Sequence, residues 1–226
     1  MLKRLVLTAV ILSLVFAAGM ASATTVELAF QSVPNYEVVN IAAYGTQYNN
    51  VEAGNYVVSV YTTNPNNAIS LSGFCYTPVL ANTSYTTYDL VPIAKTSGGS
   101  AYQAIAWILN QQSSQGWNAA AAQVAVWELA WDYSVGNPFS LTSGNFILSS
   151  PDPNSAFGTA VQTIYSAALT GMLDPNFDPS KYVLAESSSC QGYVIPNPVP
   201  VPPTVLLLGT GLVGMAALRR RKGRAG

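Results

Sequence analysis

The sequence contains no histidine, and this absence excludes several kinds of chemistry. Ser-His and Cys-His nucleophile pairs need an imidazole to take up a proton, and most catalytic zinc sites need one as a ligand. Charged residues are also scarce, at 8% of the chain. The composition therefore argues against a conventional hydrolase. We expect a protein that is not an enzyme, with no catalytic residue, no metal site and no cofactor.

Basic residues are few, and most of them lie near the two ends of the chain. Of nine lysines and arginines, only Lys95 and Lys181 lie within residues 24–195, whereas all ten acidic residues lie in that range. A protein that binds nucleic acid needs a basic surface to neutralise phosphates. We therefore expect no nucleic-acid partner.

The first residues have the pattern of a secretory signal peptide. Lys3 and Arg4 precede an apolar run over 5–18, and the small residues at 21–23 offer a cleavage site. Such a segment is removed on export and takes no part in the fold. The pattern predicts a signal peptide over 1–23 and one extracytoplasmic domain over 24–195, which is long enough to bury a core.

The C-terminal region combines three different segments in a fixed order. Prolines predict an extended spacer over 196–203, because they fix φ and supply no amide donor. The apolar run over 204–218 predicts a transmembrane helix, although it is shorter than the ~20 residues that span a bilayer. The region 219–226 is predicted to be a basic cytoplasmic tail, in which four residues stop the helix at the membrane: Arg219, Arg220, Arg221 and Lys222.

This order of segments resembles the PEP-CTERM sorting signal of Gram-negative bacteria. In that family a Pro-Glu-Pro-like motif, a short hydrophobic helix and an arginine cluster follow one another, and an exosortase cuts the signal. The corresponding motif here is Pro200, Val201 and Pro202, with valine in place of glutamate. The resemblance implies an exported envelope or surface protein, an exosortase-like partner and at least transient single-pass contact with the membrane. An ordinary tail anchor is the alternative.

The first part of the domain contains short runs rich in valine, tyrosine, threonine and isoleucine. Such runs, broken by turn residues, are typical of antiparallel strands. Turns are predicted at Gly45, Asn49-Asn50, Gly54 and 64–67. The predicted strands cover 26–30, 36–43, 56–62, 69–76 and 85–91, and strand patterns return only near 182–185 and 193–195.

The middle of the domain is rich in alanine, with apolar residues at helical spacing. This pattern predicts two helices, over 100–112 and 118–133, with Gly116 between them and Asn118 as the second N-cap. A helical hairpin is therefore expected.

A third helix is predicted over 155–169. Asn154 is its expected N-cap, and Gly171 is expected just beyond its end. The predicted fold class is α+β, a β-rich domain with an insertion of two to three helices.

Cys75 and Gln123 are the residues most suited to chemistry. Cys75 ends a strand-like run beside aromatic residues, and Gln123 lies on the alanine-rich face of a predicted helix. A cysteine sulfur held against a glutamine carboxamide in a dry pocket can attack it, expel ammonia and leave an internal thioester. Holding two groups in attack geometry can remove roughly 7–11 kcal/mol of a barrier. An ordinary helix position is the alternative for Gln123.

The two segments resemble the Cys-Gln thioester domains of bacterial surface proteins, also called TQXA domains after a Thr-Gln-x-Ala motif that is commonly followed by Ile-Trp. The sequence here reads Phe74-Cys75-Tyr76 and, later, Ala122-Gln123-Val124-Ala125-Val126-Trp127, with Ala122 in place of the threonine. The resemblance covers about residues 36–165.

This resemblance implies that Cys75 donates the thiol and Gln123 the acyl group. The residues around the bond would be Phe74, Tyr76, Ala122, Ala125 and Trp127. The product would be a latent electrophile that couples to an amine on a surface or matrix partner. The implied role is adhesion by covalent attachment rather than turnover.

The cysteine count supports a different interpretation. Cys75 and Cys190 are the only two cysteines, and an even number in an exported protein ordinarily means a disulfide. Closing so long a loop would stabilise the fold by about 4–5 kcal/mol in the chain-entropy model. A disulfide and a thioester cannot share Cys75. The alternative function is therefore a non-enzymatic structural protein of the envelope or extracellular matrix with a Cys75–Cys190 disulfide.

Overall fold

The computed structural model describes residues 24–61, 64–77, 83–97, 99–133 and 138–198. The chain divides into two compact units, 1–196 and 197–226, and nearly all described residues belong to the first. The predicted signal peptide at 1–23, the helix at 204–218 and the basic tail lie outside the described residues, as does most of the proline spacer.

Six antiparallel strands close into a barrel. Their order around the barrel is β1 (Thr24–Ser32), β4 (Tyr56–Tyr61), β5 (Ile69–Cys75), β9 (Tyr193–Pro196), β8 (Tyr182–Glu186) and β6 (Thr86–Pro92). Buried and part-exposed residues alternate along β4, which places Val58 and Val60 inside. This period of two is the pattern of a strand with one face in a core. Closure pairs every barrel strand on both sides, so none of the six is an edge.

A second sheet of three strands has the order β3 (Thr46–Ala53), β2 (Glu37–Ala43) and β7 (Phe146–Ser150). The hairpin between β2 and β3 turns at Tyr44 and Gly45, whose φ angles are 48° and 79°. Two successive positive φ values characterise the type I′ turn, which suits the twist of paired strands. The turn predicted at Gly45 is confirmed.

The turn predicted at Asn49-Asn50 is wrong, because both residues lie inside β3. The pairing of β2 with β3 shifts by one residue between Val39 and Ile41, and Asn50 has a φ of 56°. The Asn50 amide donates to Oδ1 of Asn40 at 2.8 Å. Asparagine tolerates positive φ in bulges as well as in turns, so the sequence alone does not separate the two.

Within the residues that the structure describes, three α-helices follow β6: α1 (Ala101–Gln115), α2 (Ala119–Asp132) and α3 (Ala156–Gly171). The expected boundary between the first two is confirmed. Gly116 ends α1 with a φ of 62°, and Oδ1 of Asn118 accepts a hydrogen bond from the Ala121 amide at 3.0 Å. The domain is thus β-rich with three helices, in agreement with the predicted α+β class.

Helix α2 lies at the centre of the domain. Eleven of its fourteen residues are buried, and it packs against α1, α3, β3, β5 and β7. A helix that is apolar on all sides is stable only when other elements surround it. The position of α2 therefore follows from its own composition.

Two strands, β3 and β7, were not predicted. β3 is mostly polar and lacks a clean alternation of buried and exposed residues. β7 starts where the Asp132 carboxylate accepts hydrogen bonds from the amides of Asn145 and Phe146, at 2.6 and 2.7 Å. These contacts join residues that are 13 and 14 positions apart, so a short window of sequence does not predict where the strand begins.

The predicted ends of α3 also need correction. Its N-cap is Ser155 rather than Asn154, and the Ser155 hydroxyl donates to the Asp152 carbonyl instead of capping the helix. Gly171 is the last residue of the helix, not the residue beyond it. A Cβ atom built on Gly171 would lie 1.9 Å from Cε2 of Trp107. Glycine at this position is thus explained by close packing against the indole.

We predict that Gly171→Ala lowers the free energy of unfolding by about 1–3 kcal/mol, because the added methyl group overpacks the contact with Trp107. Helix propensity alone would give the opposite sign, since alanine is favoured over glycine by about 1 kcal/mol. Chemical denaturation measures the change. In a Trp107→Leu background the same substitution should be neutral or stabilising, and a stabilised Gly171→Ala single variant would contradict the packing explanation.

Candidate functional site

Cys75 is the last residue of β5, where the barrel meets the helices. It is 1% exposed and lies opposite Tyr193 of β9. The next residue continues the ladder, since the Tyr76 amide donates to the Gly192 carbonyl at 3.0 Å. On its other side, β5 pairs with β4 only as far as Gly73, which faces Tyr56.

This register leaves the backbone of Cys75 without a strand neighbour on the β4 side. In an antiparallel strand the N–H and C=O of alternate residues point to the same side. Cys75 therefore points the same way as Gly73, to where β4 has not yet begun. A buried N–H and C=O at this point need other partners.

The side chain of Gln123 supplies both partners. The Cys75 amide donates to Oε1 of Gln123 at 3.1 Å, and Nε2 of Gln123 donates to the Cys75 carbonyl at 2.6 Å. The backbone groups fix which end of the carboxamide is oxygen, since an N–H must donate and a C=O must accept. The structure thus brings together the two residues singled out from the sequence.

Small residues make this approach possible. Ala122 and Ala125 flank Gln123 on α2, and all three are fully buried. Because alanine carries only a methyl group, the helix backbone can come close to the end of β5. Gln123 has no solvent contact, so the backbone of Cys75 replaces water as the hydrogen-bond partner of its carboxamide.

The Cys75 sulfur lies in a dry environment. Its thiol donates to the Thr77 carbonyl at 2.7 Å, and burial raises the pKa of the thiol to about 12. The indole N–H of Trp127 has no partner in hydrogen-bond geometry, but it lies close enough to the sulfur to lower this pKa slightly. At neutral pH Cys75 is therefore a thiol, with an unused donor beside it.

Aromatic side chains surround the pair. Trp127 stacks on Trp131 with ring centroids 6.3 Å apart, and the Trp131 indole donates to the Tyr76 carbonyl at 2.9 Å. Phe74 and Tyr76 are also buried. These rings exclude water and tie α2 to the end of β5.

A groove of about 470 Å³ ends at Cys75 and Trp127. One wall comes from β3 and includes Tyr48, Asn50 and Glu52. Sequence reasoning missed this wall, because only the tertiary fold brings β3 to β5. No local pattern marks these residues as part of the site.

Cys190 lies outside this groove. It is partly exposed and lines a separate cavity of about 490 Å³ together with Tyr76 and Thr77. Both cysteines belong to the described part of the chain, and no disulfide joins them there. Each sulfur raises the pKa of the Tyr88 and Tyr193 hydroxyls, with burial as the larger cause.

Within the described ranges, no group of cysteine, aspartate and glutamate side chains could hold a metal ion. In the same part of the chain, no helix is long and apolar enough to cross a membrane. The sorting residues Pro200, Val201 and Pro202 and the basic cluster at 219–222 lie outside the described residues.

Comparison with known proteins identifies one segment of the chain. Residues 198–222 match the PEP-CTERM protein-sorting motif. The chain therefore carries the signal of an exported envelope protein that an exosortase processes. No curated protein and no solved structure gives a significant match to the chain.

Glu128 is a further buried group on α2. It is 1% exposed, its Oε1 accepts from the Ser140 amide at 3.1 Å, and Oε2 has no partner. Burial, with a smaller contribution from Asp132, raises its pKa from 4.5 to about 8. The carboxyl group is thus protonated at neutral pH.

We predict that the free energy of unfolding falls as the pH rises from about 4.5 to about 8, with a slope approaching about 1.4 kcal/mol per unit from this group. In that window the unfolded chain releases the proton that the folded chain retains. Glu128→Gln should flatten the dependence in urea denaturation, whereas Glu186→Gln, at an exposed position, should keep it. An unchanged slope in Glu128→Gln would contradict the assignment.

Proposed function

We propose that this protein is an exported cell-surface protein that attaches covalently to a partner through an internal thioester between Cys75 and Gln123. It acts once per molecule and is not an enzyme. The PEP-CTERM motif at 198–222 provides the route to the surface. The partner is a surface or matrix molecule that carries an amine.

The reciprocal hydrogen bonding of Gln123 with the Cys75 backbone is the observation that carries the proposal. It keeps the carboxamide carbon beside the residue whose sulfur must attack it. The Cys75 amide donates to the carboxamide oxygen, where negative charge develops during attack, as donors of an oxyanion hole do. The same contact also completes the β-ladder, so it has a structural use in any case.

Thioester formation at this site balances without a co-reactant. The Cys75 sulfur forms a bond to the Gln123 carbonyl carbon, and the bond from that carbon to Nε2 breaks. The thiol proton leaves with the nitrogen as ammonia. The raised pKa of Cys75 is compatible with this sequence, since the proton remains on the protein until the amide nitrogen takes it.

The domain offers few amines that could consume its own thioester. Lys95 and Lys181 are the only lysines within 24–195. The Lys95 ammonium donates to the carbonyls of Asp174, Pro175 and Phe177, at 3.2, 3.2 and 2.8 Å. An ammonium held in this way is not a nucleophile, which favours survival of the electrophile until a partner arrives.

Intact mass tests the proposal. We predict that the purified domain is lighter than its sequence by one ammonia and that methylamine adds to it. Cys75→Ser keeps a donor for the Thr77 carbonyl. Gln123→Glu keeps the side-chain shape, and in its protonated form it can still donate to the Cys75 carbonyl. Both variants should therefore fold, show full mass and not react with methylamine. Gln123→Ala is a poorer test, because it leaves a buried N–H and C=O unpaired at a cost of about 1–3 kcal/mol each.

The second candidate is a structural matrix protein with a Cys75–Cys190 disulfide. Two observations favour it: Tyr193, which pairs with Cys75, lies three residues beyond Cys190, and Thr77 lines the cavities of both cysteines. In that case the wild-type mass is lower by two hydrogens, is restored by a reducing agent and does not respond to methylamine. That result would exclude the thioester.

The sorting tail makes a separate prediction. Replacing Arg219, Arg220, Arg221 and Lys222 by glutamine should leave the C-terminal segment uncut in cells that contain an exosortase, because a basic cluster sets the orientation of an apolar segment in the membrane. Mass spectrometry of the C-terminal peptide measures the cut. Arg224→Gln is the control and should be processed like the wild type. Normal cutting of the four-residue variant would refute the assigned role of the cluster.

A further inference from the structure

The groove that ends at Cys75 has an electrostatic character of its own. Among its described lining residues Glu52 is the one carboxylate, and none is a lysine or an arginine. Glu52 lies on β3, the edge strand of the three-stranded sheet, and its side chain is exposed. A carboxylate in a concave wall attracts cations more strongly than one on a flat surface, because the low-dielectric walls focus its field.

Tyr56 lines the groove together with Glu52 and is hydrogen-bonded to its backbone. Its hydroxyl donates to the Glu52 backbone carbonyl at 3.0 Å. Burial is the main cause that raises the pKa of Tyr56, with smaller contributions from Cys75, Tyr193 and Glu52. Glu52, Tyr56 and Cys75 line the same groove, so the carboxylate and the sulfur face one cavity.

The groove is also lined by a buried hydrogen-bond donor without a partner. The indole N–H of Trp127, a residue 1% exposed, lines the groove and has no hydrogen-bond partner. Buried donors in folded proteins are nearly always paired. An unpaired donor beside the Cys75 sulfur suits a site where an incoming group completes the contacts.

We infer that this groove is the entry path for the partner's amine and that Glu52 selects amines that arrive as ammonium ions. The inference rests on the proposed thioester and names the recognition residue that the thioester itself does not require. An alkyl ammonium, such as the side chain of lysine, carries one positive charge. This charge complements the one carboxylate in a groove wall that also contains tyrosine and asparagine.

Coupling in the groove converts the thioester into an amide. The ammonium first loses one proton to solvent. The amine nitrogen then forms a bond to the Gln123 carbonyl carbon while the bond from that carbon to the Cys75 sulfur breaks. The second proton on nitrogen passes to the sulfur, which regenerates the thiol. Glu52 acts before these steps by raising the local concentration of ammonium.

Two small nucleophiles separate recognition from chemistry. Methylamine is a cation near neutral pH, whereas hydroxylamine is largely neutral and attacks thioesters readily. Glu52→Gln should slow the reaction with methylamine about fivefold, the factor for two unit charges about 4 Å apart in water, and leave that with hydroxylamine unchanged. High salt should reduce the difference, because it screens exposed charges. Intact mass against time measures both rates.

Asp89→Asn is the matched control, because it removes the same charge from an exposed position that lines the other cavity. It should react like the wild type with both nucleophiles. Equal slowing of methylamine in the two variants would show a general effect of net charge and overturn the inference. An unchanged methylamine rate in Glu52→Gln, or equal slowing of both nucleophiles, would overturn it as well.

The same measurements distinguish this inference from the proposed function. A wild-type domain of full mass that reacts with neither nucleophile removes the thioester and the entry path together. A wild-type domain that reacts with both, beside a Glu52→Gln variant of identical rates, leaves the thioester in place and removes only the role of Glu52.

Discussion

The pairing of the Gln123 carboxamide with the backbone of Cys75 is the contact on which the site depends. It joins the two parts of the domain, since Cys75 ends a barrel strand and Gln123 belongs to the central helix. Both groups are buried, so their hydrogen bonds cannot be exchanged for water without cost. This contact holds α2 against the end of β5, beside the buried sulfur.

Local chemistry in the sequence was sufficient for much of the fold. The asparagine cap at 118 and the glycine at 116 mark the boundary of two helices, and both act in the structure as their residue types suggest. Barrel strands with alternating apolar residues were also predictable. For the helix boundary the stabilising contact lies within a few residues of the signal. For the strands the alternation itself is local, although the pairing partners are distant along the chain.

The remaining parts depend on contacts between distant residues. Asn49 and Asn50 look like a turn, but pairing with β2 makes them a bulge. Gly171 looks like a helix terminator, but the Trp107 ring explains it. Closure of the barrel, the wall that β3 gives to the groove and the buried Glu128 carboxyl have the same origin. For the site, the pair Cys75 and Gln123 could be found from residue types, whereas the groove around it could not.

The position of β9 has a mechanical consequence. Its last residue, Pro196, is where the domain chain continues into the sorting segment, and β9 is held by β5 on one side and β8 on the other. A pull directed along β9 from this end would load both ladders in shear, so their hydrogen bonds would resist together. The ladder with β8 begins at Pro196, and the ladder with β5 ends at Cys75, which pairs with Tyr193. Tension on the sorting segment would therefore reach Cys75, the residue beside the carboxamide of Gln123.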